Sequence, residues 1–117
     1  MKELGVRWVF VYGVDNILVK IADPVMIATA IEEGADCVNK VVRKTDPSER
    51  VGLICLRGGC PNVVEYSEVS QEMVALPSPL DPSRLLFDSA NICTHLYSLD
   101  FISRVTSHHL SAIPYHF

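Results

Sequence analysis

The sequence predicts an α/β domain containing a mixed sheet. Two observations carry that. Runs of β-branched and aromatic residues alternate with capped helical patterns along the chain. Two of those runs are joined only through Gly58-Gly59-Cys60-Pro61, the chemistry of a hairpin. One domain fits the 117 residues.

The first element is Trp8-Val9-Phe10-Val11-Tyr12, a continuous apolar run of the kind found in strands buried on both faces. Gly13-Val14-Asp15-Asn16 ends it as a turn. Asp23-Pro24 starts a helix, because Asp caps and Pro suits the first helical position. Met26, Ile27, Ala30 and Ile31 give that helix an apolar face, and Gly34 closes it. Cys37 to Lys44 reads as a strand, followed by a turn at Thr45-Asp46-Pro47-Ser48. Val51 to Leu56 and Asn62 to Tyr66 are the hairpin strands. Three prolines make Leu76 to Ser83 a loop, and Leu85-Leu86-Phe87 reads as a short strand. Ser98 caps a last helix whose Leu99, Ile102 and Val105 share one face. The chain closes on Ile113-Pro114-Tyr115-His116-Phe117, without a polar tail.

Composition excludes several classes. The net charge is −4, so the cationic surface that drives generic nucleic-acid binding is absent. Lys40, Arg43 and Lys44 are the one basic group and read as a solvated strand edge. No run reaches the roughly 18 to 20 apolar residues of a membrane helix. Glu3 and Arg7 interrupt the N-terminus, and no cleavage site follows, so no signal peptide is expected and the cytoplasm is the expected compartment. Hydrophobic residues make up 49%, which reads as a filled core or as faces that pack on further protein. Cys37, Cys55, Cys60 and Cys93 form no CxxC pair and read as reduced, at least partly buried thiols rather than zinc ligands with His95. His108-His109 reads as surface histidine near a helix end.

Three places could carry chemistry. Asp15 follows the carboxyl end of a strand, where open α/β sheets bind ligands, and a carboxylate there can hold Mg²⁺ beside phosphate oxygens. By position alone it reads rather as a turn residue, with Asn16. Glu65, after a short apolar strand, can accept hydrogen bonds from sugar hydroxyls; with Glu68 it could instead form a hydrolytic pair or flank a turn. Asn91 follows small residues after Phe87 and reads as a ligand-facing or turn asparagine in a loop.

The order and wording of these segments resemble one family. Tyr12-Gly13-Val14-Asp15-Asn16, continuing to Asp23-Pro24, is similar to the "VDN…DP" signature of eukaryotic-type UDP-N-acetylhexosamine pyrophosphorylases. Gly34-Ala35-Asp36 and Lys40-Val41-Val42 with Lys44 resemble its next strand. Val64-Glu65-Tyr66-Ser67-Glu68 resembles its sugar-recognition motif, and Arg84-Leu85-Leu86-Phe87 with Ala90-Asn91-Ile92 and His95 its following strand and loop. The resemblance runs colinearly over nearly the whole chain.

It implies a partial Rossmann-like nucleotidyltransferase domain, residues 1–117 being an internal part of it. The implied reaction joins UTP to N-acetylglucosamine 1-phosphate, giving UDP-N-acetylglucosamine and pyrophosphate. By matching position Asp15 would approach the nucleotide phosphates and hold Mg²⁺ (or Mn²⁺), Glu65 would bind hydroxyls of the N-acetylhexosamine, Tyr66 would help shape the same sugar site, and Asn91 would contact the sugar or its N-acetyl group. Ala90 stands where the family usually has Gly, and the proline-rich loop is slightly longer. Arg57-Gly58-Gly59-Cys60 lacks the Thr-Arg of the family's Gly-rich phosphate loop, and the family's distant lysines lie outside the region covered. The chain alone is therefore expected to give no turnover. Two alternatives stay open: a UDP-glucose pyrophosphorylase relative, and a non-catalytic short protein with a remnant sugar-nucleotide or partner-binding surface, prone to self-association.

Overall fold

The computed structural model describes residues 1–113. Along the chain run β1 (Trp8–Tyr12), α1 (Pro24–Glu32), β2 (Cys37–Arg43), β3 (Leu53–Arg57), β4 (Cys60–Val64), α2 (Gln71–Val74), β5 (Ser89–Ser98) and α3 (Leu99–His108). Short 3₁₀ turns occupy Lys2–Leu4, Tyr66–Glu68 and Leu110–Ala112. The last four residues of the sequence lie outside the described part. The chain divides into two compact units, Met1–Asn39 with Thr94–Phe117, and Lys40–Cys93.

In the first unit β1 pairs antiparallel with the second half of β5, from Trp8↔Ser98 to Tyr12↔Thr94. Partnered residues share a face, so Phe10 and Leu96 point the same way. That face meets α1: Met26, Ala30 and Leu96 form the buried core, with Trp8, Phe10, Ile27 and Val38 packed around it. The helix begins where its chemistry places it. The Asp23 carboxylate accepts the Val25 N–H at 3.1 Å, a cap that contributes about 1 kcal/mol. It ends in a Schellman turn, with the Ala35 N–H donated to Ala30 O at 2.9 Å and Gly34 at φ +59.

The opposite face of the same strand pair carries Val9, Val11, His95 and Tyr97. Here the rings of His95, Tyr97 and Phe101 stack with centroids 5.8 and 6.1 Å apart. His95 Nδ1 lies 2.6 Å from Asn39 Oδ1, and partial burial pushes its pKa down. Ser98 caps α3 through the Phe101 N–H at 3.0 Å. Its hydroxyl also donates to Asp36 Oδ1 at 2.6 Å, and Asp36 pairs with Arg104. These two partners, Ser98 first, hold the Asp36 carboxyl below its ordinary pKa. The far end of β1 is less enclosed than a doubly buried strand, since Val11 and Tyr12 are exposed.

The second unit is organised by the β3–β4 hairpin, registered from Leu53↔Val64 to Arg57↔Cys60. Gly58 and Gly59 sit at φ +60 and +82, the two positive angles that a type I′ turn requires. Leu53 also pairs antiparallel with Ala90 of β5. The α/β class stands, and every pairing whose register is defined here is antiparallel.

Three expectations are corrected. Leu85-Leu86-Phe87 is not a strand: only an isolated bridge joins Leu85 to Pro77, and Arg84 turns back to hold Asp88 at 2.6 Å. The strand begins instead at Ser89. Lys44 is not solvated but 2% exposed, because the Thr45–Glu49 turn closes over it and Glu49 O accepts its Nζ at 2.8 Å. The thiols are free, yet Cys37, Cys60 and Cys93 are exposed, since each lies on a sheet surface or at a turn. Among the described residues no helix is long and apolar enough to cross a membrane.

Candidate functional site

Asp15 belongs to the first unit, on the turn that leaves β1. The Asn16 N–H closes on Gly13 O at 3.1 Å, and Asn16 Oδ1 accepts the Leu18 N–H at 3.1 Å. The loop is thus held by backbone and Asn16, and the exposed Asp15 carboxylate takes no part in holding it. Gly13 is what permits its position. A Cβ there would stand 2.8 Å from Asp15 Oδ1, closer than real contacts allow. Around Asp15 the loop presents bare apolar side chains, with Val14 95%, Ile17 93% and Leu18 88% exposed.

Glu65, Tyr66 and Asn91 belong to the second unit. Glu65 leaves β4 with extended backbone and becomes the cap of the following 3₁₀ turn. Its side chain accepts the Glu68 N–H, and Glu68 in return accepts the Glu65 N–H at 3.2 Å. Glu68 is therefore the structural partner that fixes Glu65 rather than half of a hydrolytic pair. Tyr66 opens the turn and is about half exposed.

Asn91 is on a strand, not in a loop. Its backbone N–H donates to Gly52 O at 2.8 Å, extending the Leu53↔Ala90 pairing by one residue. Side chains alternate along a strand. Gly52, Glu65 and Asn91 each stand one step from the cross-strand set Leu53, Val64 and Ala90, and so lie together on the other face of the sheet. Strand spacing puts Glu65 and Asn91 about 10 Å apart, with Gly52 between them. A Cβ on Gly52 would meet Glu65 Oε1 and Oε2 at 3.3 and 3.4 Å. The glycine opens a notch, bordered by a carboxylate and a carboxamide. Sequence reasoning missed Gly52. Its place three residues before Cys55 says nothing about which strand neighbours it faces.

The Asn91 side chain also shapes the backbone. Its Oδ1 accepts the Cys93 N–H at 3.1 Å, and Cys93 takes φ +53 within β5. A left-handed conformation costs such a residue about 1–2 kcal/mol, which this bond helps to offset. The buried Ala90, 4% exposed, occupies the opposite face from the notch, so its methyl does not narrow it. That opposite face has its own cleft of about 370 Å³, walled by Leu53, Val64, Met73 and Phe87. Its lining is mainly apolar, with Arg57 and Glu68 as its charged members. Among the described residues no three His, Cys, Asp or Glu side chains gather as metal ligands.

Comparison with known proteins identifies the family. The sequence model of the UTP–glucose-1-phosphate uridylyltransferase family matches residues 1–115. The chain is 47% identical over 106 residues to human UDP-N-acetylhexosamine pyrophosphorylase-like protein 1, covering 91% of this chain and 20% of that protein. It is 40% identical over 117 residues to the probable UDP-N-acetylglucosamine pyrophosphorylase of Dictyostelium discoideum, covering 99% and 24%. Its fold is similar to that of the solved UDP-N-acetylglucosamine pyrophosphorylase of Trypanosoma brucei, with a TM-score of 0.81 at 37% identity over 94% of this chain and 20% of that one. The chain spans about a fifth to a quarter of the length of the curated relatives it matches.

Proposed function

Because the chain belongs to the UTP–glucose-1-phosphate uridylyltransferase family, we propose that it is the sugar-recognising and metal-approaching segment of a transferase forming UDP-N-acetylglucosamine and pyrophosphate from UTP and N-acetylglucosamine 1-phosphate. The observation that carries this reading is the Glu65–Gly52–Asn91 row. A pyranose lies flat and is ringed by hydroxyls. A glycine floor with a carboxylate on one side and a carboxamide on the other suits such a ligand. Glu65, fixed by its exchange with Glu68, accepts sugar hydroxyls, and Tyr66 borders the same site.

In this reaction the sugar phosphate oxygen attacks the α-phosphorus of UTP in line, and pyrophosphate leaves. No covalent enzyme intermediate is needed, so the protein's part is positioning and charge neutralisation. Asp15 offers one exposed carboxylate on a glycine-defined turn. That donor set fits Mg²⁺ (or Mn²⁺), which takes one or two carboxylates and completes its shell from phosphate and water. Bound there, the metal would neutralise phosphate charge; Asp15 would hold it in place. The four free thiols support a reducing compartment, and the cytoplasm is the compartment this reading assigns to the reaction.

The test is Asp15→Asn in a full-length transferase carrying this segment. It keeps the side chain's shape and removes its charge. Turnover is expected to fall at least about 100-fold with the melting temperature unchanged; near-normal turnover would remove Asp15 from the metal role. The family description names glucose 1-phosphate, so that sugar is the competing substrate. Faster turnover with glucose 1-phosphate would move the assignment to the UDP-glucose branch. The bare Val14–Leu18 side chains support, on the same chain, a surface covered by further polypeptide, including a second copy. A monodisperse monomer in sedimentation would count against self-association.

A further inference from the structure

Resting on the self-association reading above, we infer that the outer edge of β1 pairs with β1 of a second copy of this chain. The two strands meet antiparallel about a two-fold axis at Phe10. Which backbone groups face outward follows from the existing pairing. The Leu99 N–H donates to Arg7 O at 2.8 Å, so Arg7, Val9 and Val11 direct their backbone groups to β5. Trp8, Phe10 and Tyr12 alternate with them and turn N–H and C=O to the other side. Among the described residues no strand pairs with that side.

The other edge strands are guarded. Among the described residues β2 pairs only with β5, and it carries Lys40 and Arg43. β4 pairs there only with β3. Its Pro61, next to the Arg57↔Cys60 pair that closes the turn, takes a donor off the outer side. β1 has neither charge nor proline from Trp8 to Tyr12. A strand left bare while the others are guarded is one that is meant to be paired.

Self-complementarity selects the second copy as the occupant. With Phe10 on the axis, Phe10 opposes Phe10 of the partner copy, and Trp8 opposes its Tyr12. Aromatic pairs of this kind stabilise sheets. About six backbone hydrogen bonds form, two at each outward pair. Beyond the strand ends, exposed Arg7 comes opposite Gly13 of the partner copy, where the turn bearing its exposed Asp15 carboxylate begins. Opposite charges therefore meet at both ends. The bare Val14 comes opposite Val6 and gains cover. The two-fold consumes both unguarded edges and leaves β2 and β4 outside, so association closes at the dimer.

The test uses the ¹⁵N-labelled 117-residue chain, with sedimentation and amide hydrogen exchange read at rising concentration. The Trp8, Phe10 and Tyr12 amides are expected to gain at least about tenfold protection as the mass doubles. The Val9 and Val11 amides stay protected throughout, because they face β5. Val11→Lys puts a charge on an exposed position that lies diagonal to Arg7 of the partner copy and to its own symmetry mate. It is expected to raise the dimer dissociation constant about tenfold. Unchanged Val9 protection in that variant shows that the strand is intact. An unchanged dissociation constant overturns the proposal. A dimer in which the Phe10 amide gains no protection overturns this edge and leaves self-association to the Val14–Leu18 loop. Protected Trp8, Phe10 and Tyr12 amides in a monomer overturn it too, because the edge is then covered within one copy. A monomer at every concentration, with fast exchange at those amides, ends both the proposal and the self-association reading.

Discussion

Gly52→Ala separates the notch from the stability of the fold. The new methyl would sit 3.3 and 3.4 Å from the two Glu65 oxygens and 3.5 Å from Val63 Cγ1. Those distances are tight by a few tenths of an ångström, not impossible. Gly52 is not at positive φ, so alanine brings no backbone strain there. Replacing Gly by Ala at a compatible angle gains about 0.4–1 kcal/mol through the unfolded chain. Against that, an exposed Glu65 must swing aside, at about 0.5–1.5 kcal/mol for an off-rotamer side chain, with up to about 1 kcal/mol more if its bond to the Glu68 N–H is lost. The net effect runs from about 0.5 kcal/mol stabilising to about 2 kcal/mol destabilising, less than about 10 °C in melting temperature for a chain of this length. Binding should respond as well. Both the filled floor and the displaced carboxylate act on the ligand, so affinity for N-acetylglucosamine 1-phosphate should fall at least about 30-fold, or about 2 kcal/mol. Thermal melting and isothermal titration on the same variant give both numbers. Undiminished affinity in a variant that melts normally would refute the notch as the place where the sugar lies.

Other outcomes follow from the first unit. Gly13→Ala places a methyl 2.8 Å from Asp15 Oδ1, so the carboxylate must move; in a full-length transferase the Mg²⁺ concentration for half-maximal rate should rise, with little change in sugar affinity. Ser98→Ala removes both the α3 cap and a bond to Asp36. It should destabilise by about 1–2 kcal/mol, read by denaturant unfolding. The folded pKa of Asp36 is depressed by Ser98 and Arg104 below the ordinary 3.8. Its stabilising contribution is therefore complete above that value and is lost as pH falls through the depressed one. Melting temperature should drop in that acid window, and Asp36→Asn should flatten the drop; an unchanged acid limb would show that Asp36 is not coupled to folding.

What the sequence disclosed was chemistry that acts within a few residues. Asp23, Pro24, Gly34 and Ser98 mark helix ends because a cap is a local bond. Gly58-Gly59 announces its hairpin because only glycine tolerates both angles easily. The misreadings lie where a distant partner decides. Leu85-Leu86-Phe87 looks like a strand by apolarity, yet its neighbours fold it into a bridge and a turn. Ser89-Ala90-Asn91 looks like a loop, yet Gly52 and Leu53 recruit it into a sheet. Lys44 carries a charge that predicts solvent, until the Glu49 carbonyl supplies a partner. For the proposed site, Asp15, Glu65, Tyr66 and Asn91 were singled out through family wording. Gly52 was not, because its importance is a matter of register across three strands.

The pairing of β1 with β5 has a temporal consequence. Trp8 must find Ser98, ninety residues later, whereas Arg57 finds Cys60 across a two-residue turn. Local closure of that kind takes about 1–10 μs. A ribosome adding roughly 5 to 20 residues per second needs about 5 to 18 s to pass from one partner of the long pair to the other. During that interval the Glu65 hairpin has ample time to form, while the pairing of β1 with β5 must wait. Of the two pairings, the one on the unit that carries Asp15 is thus the later to close during synthesis.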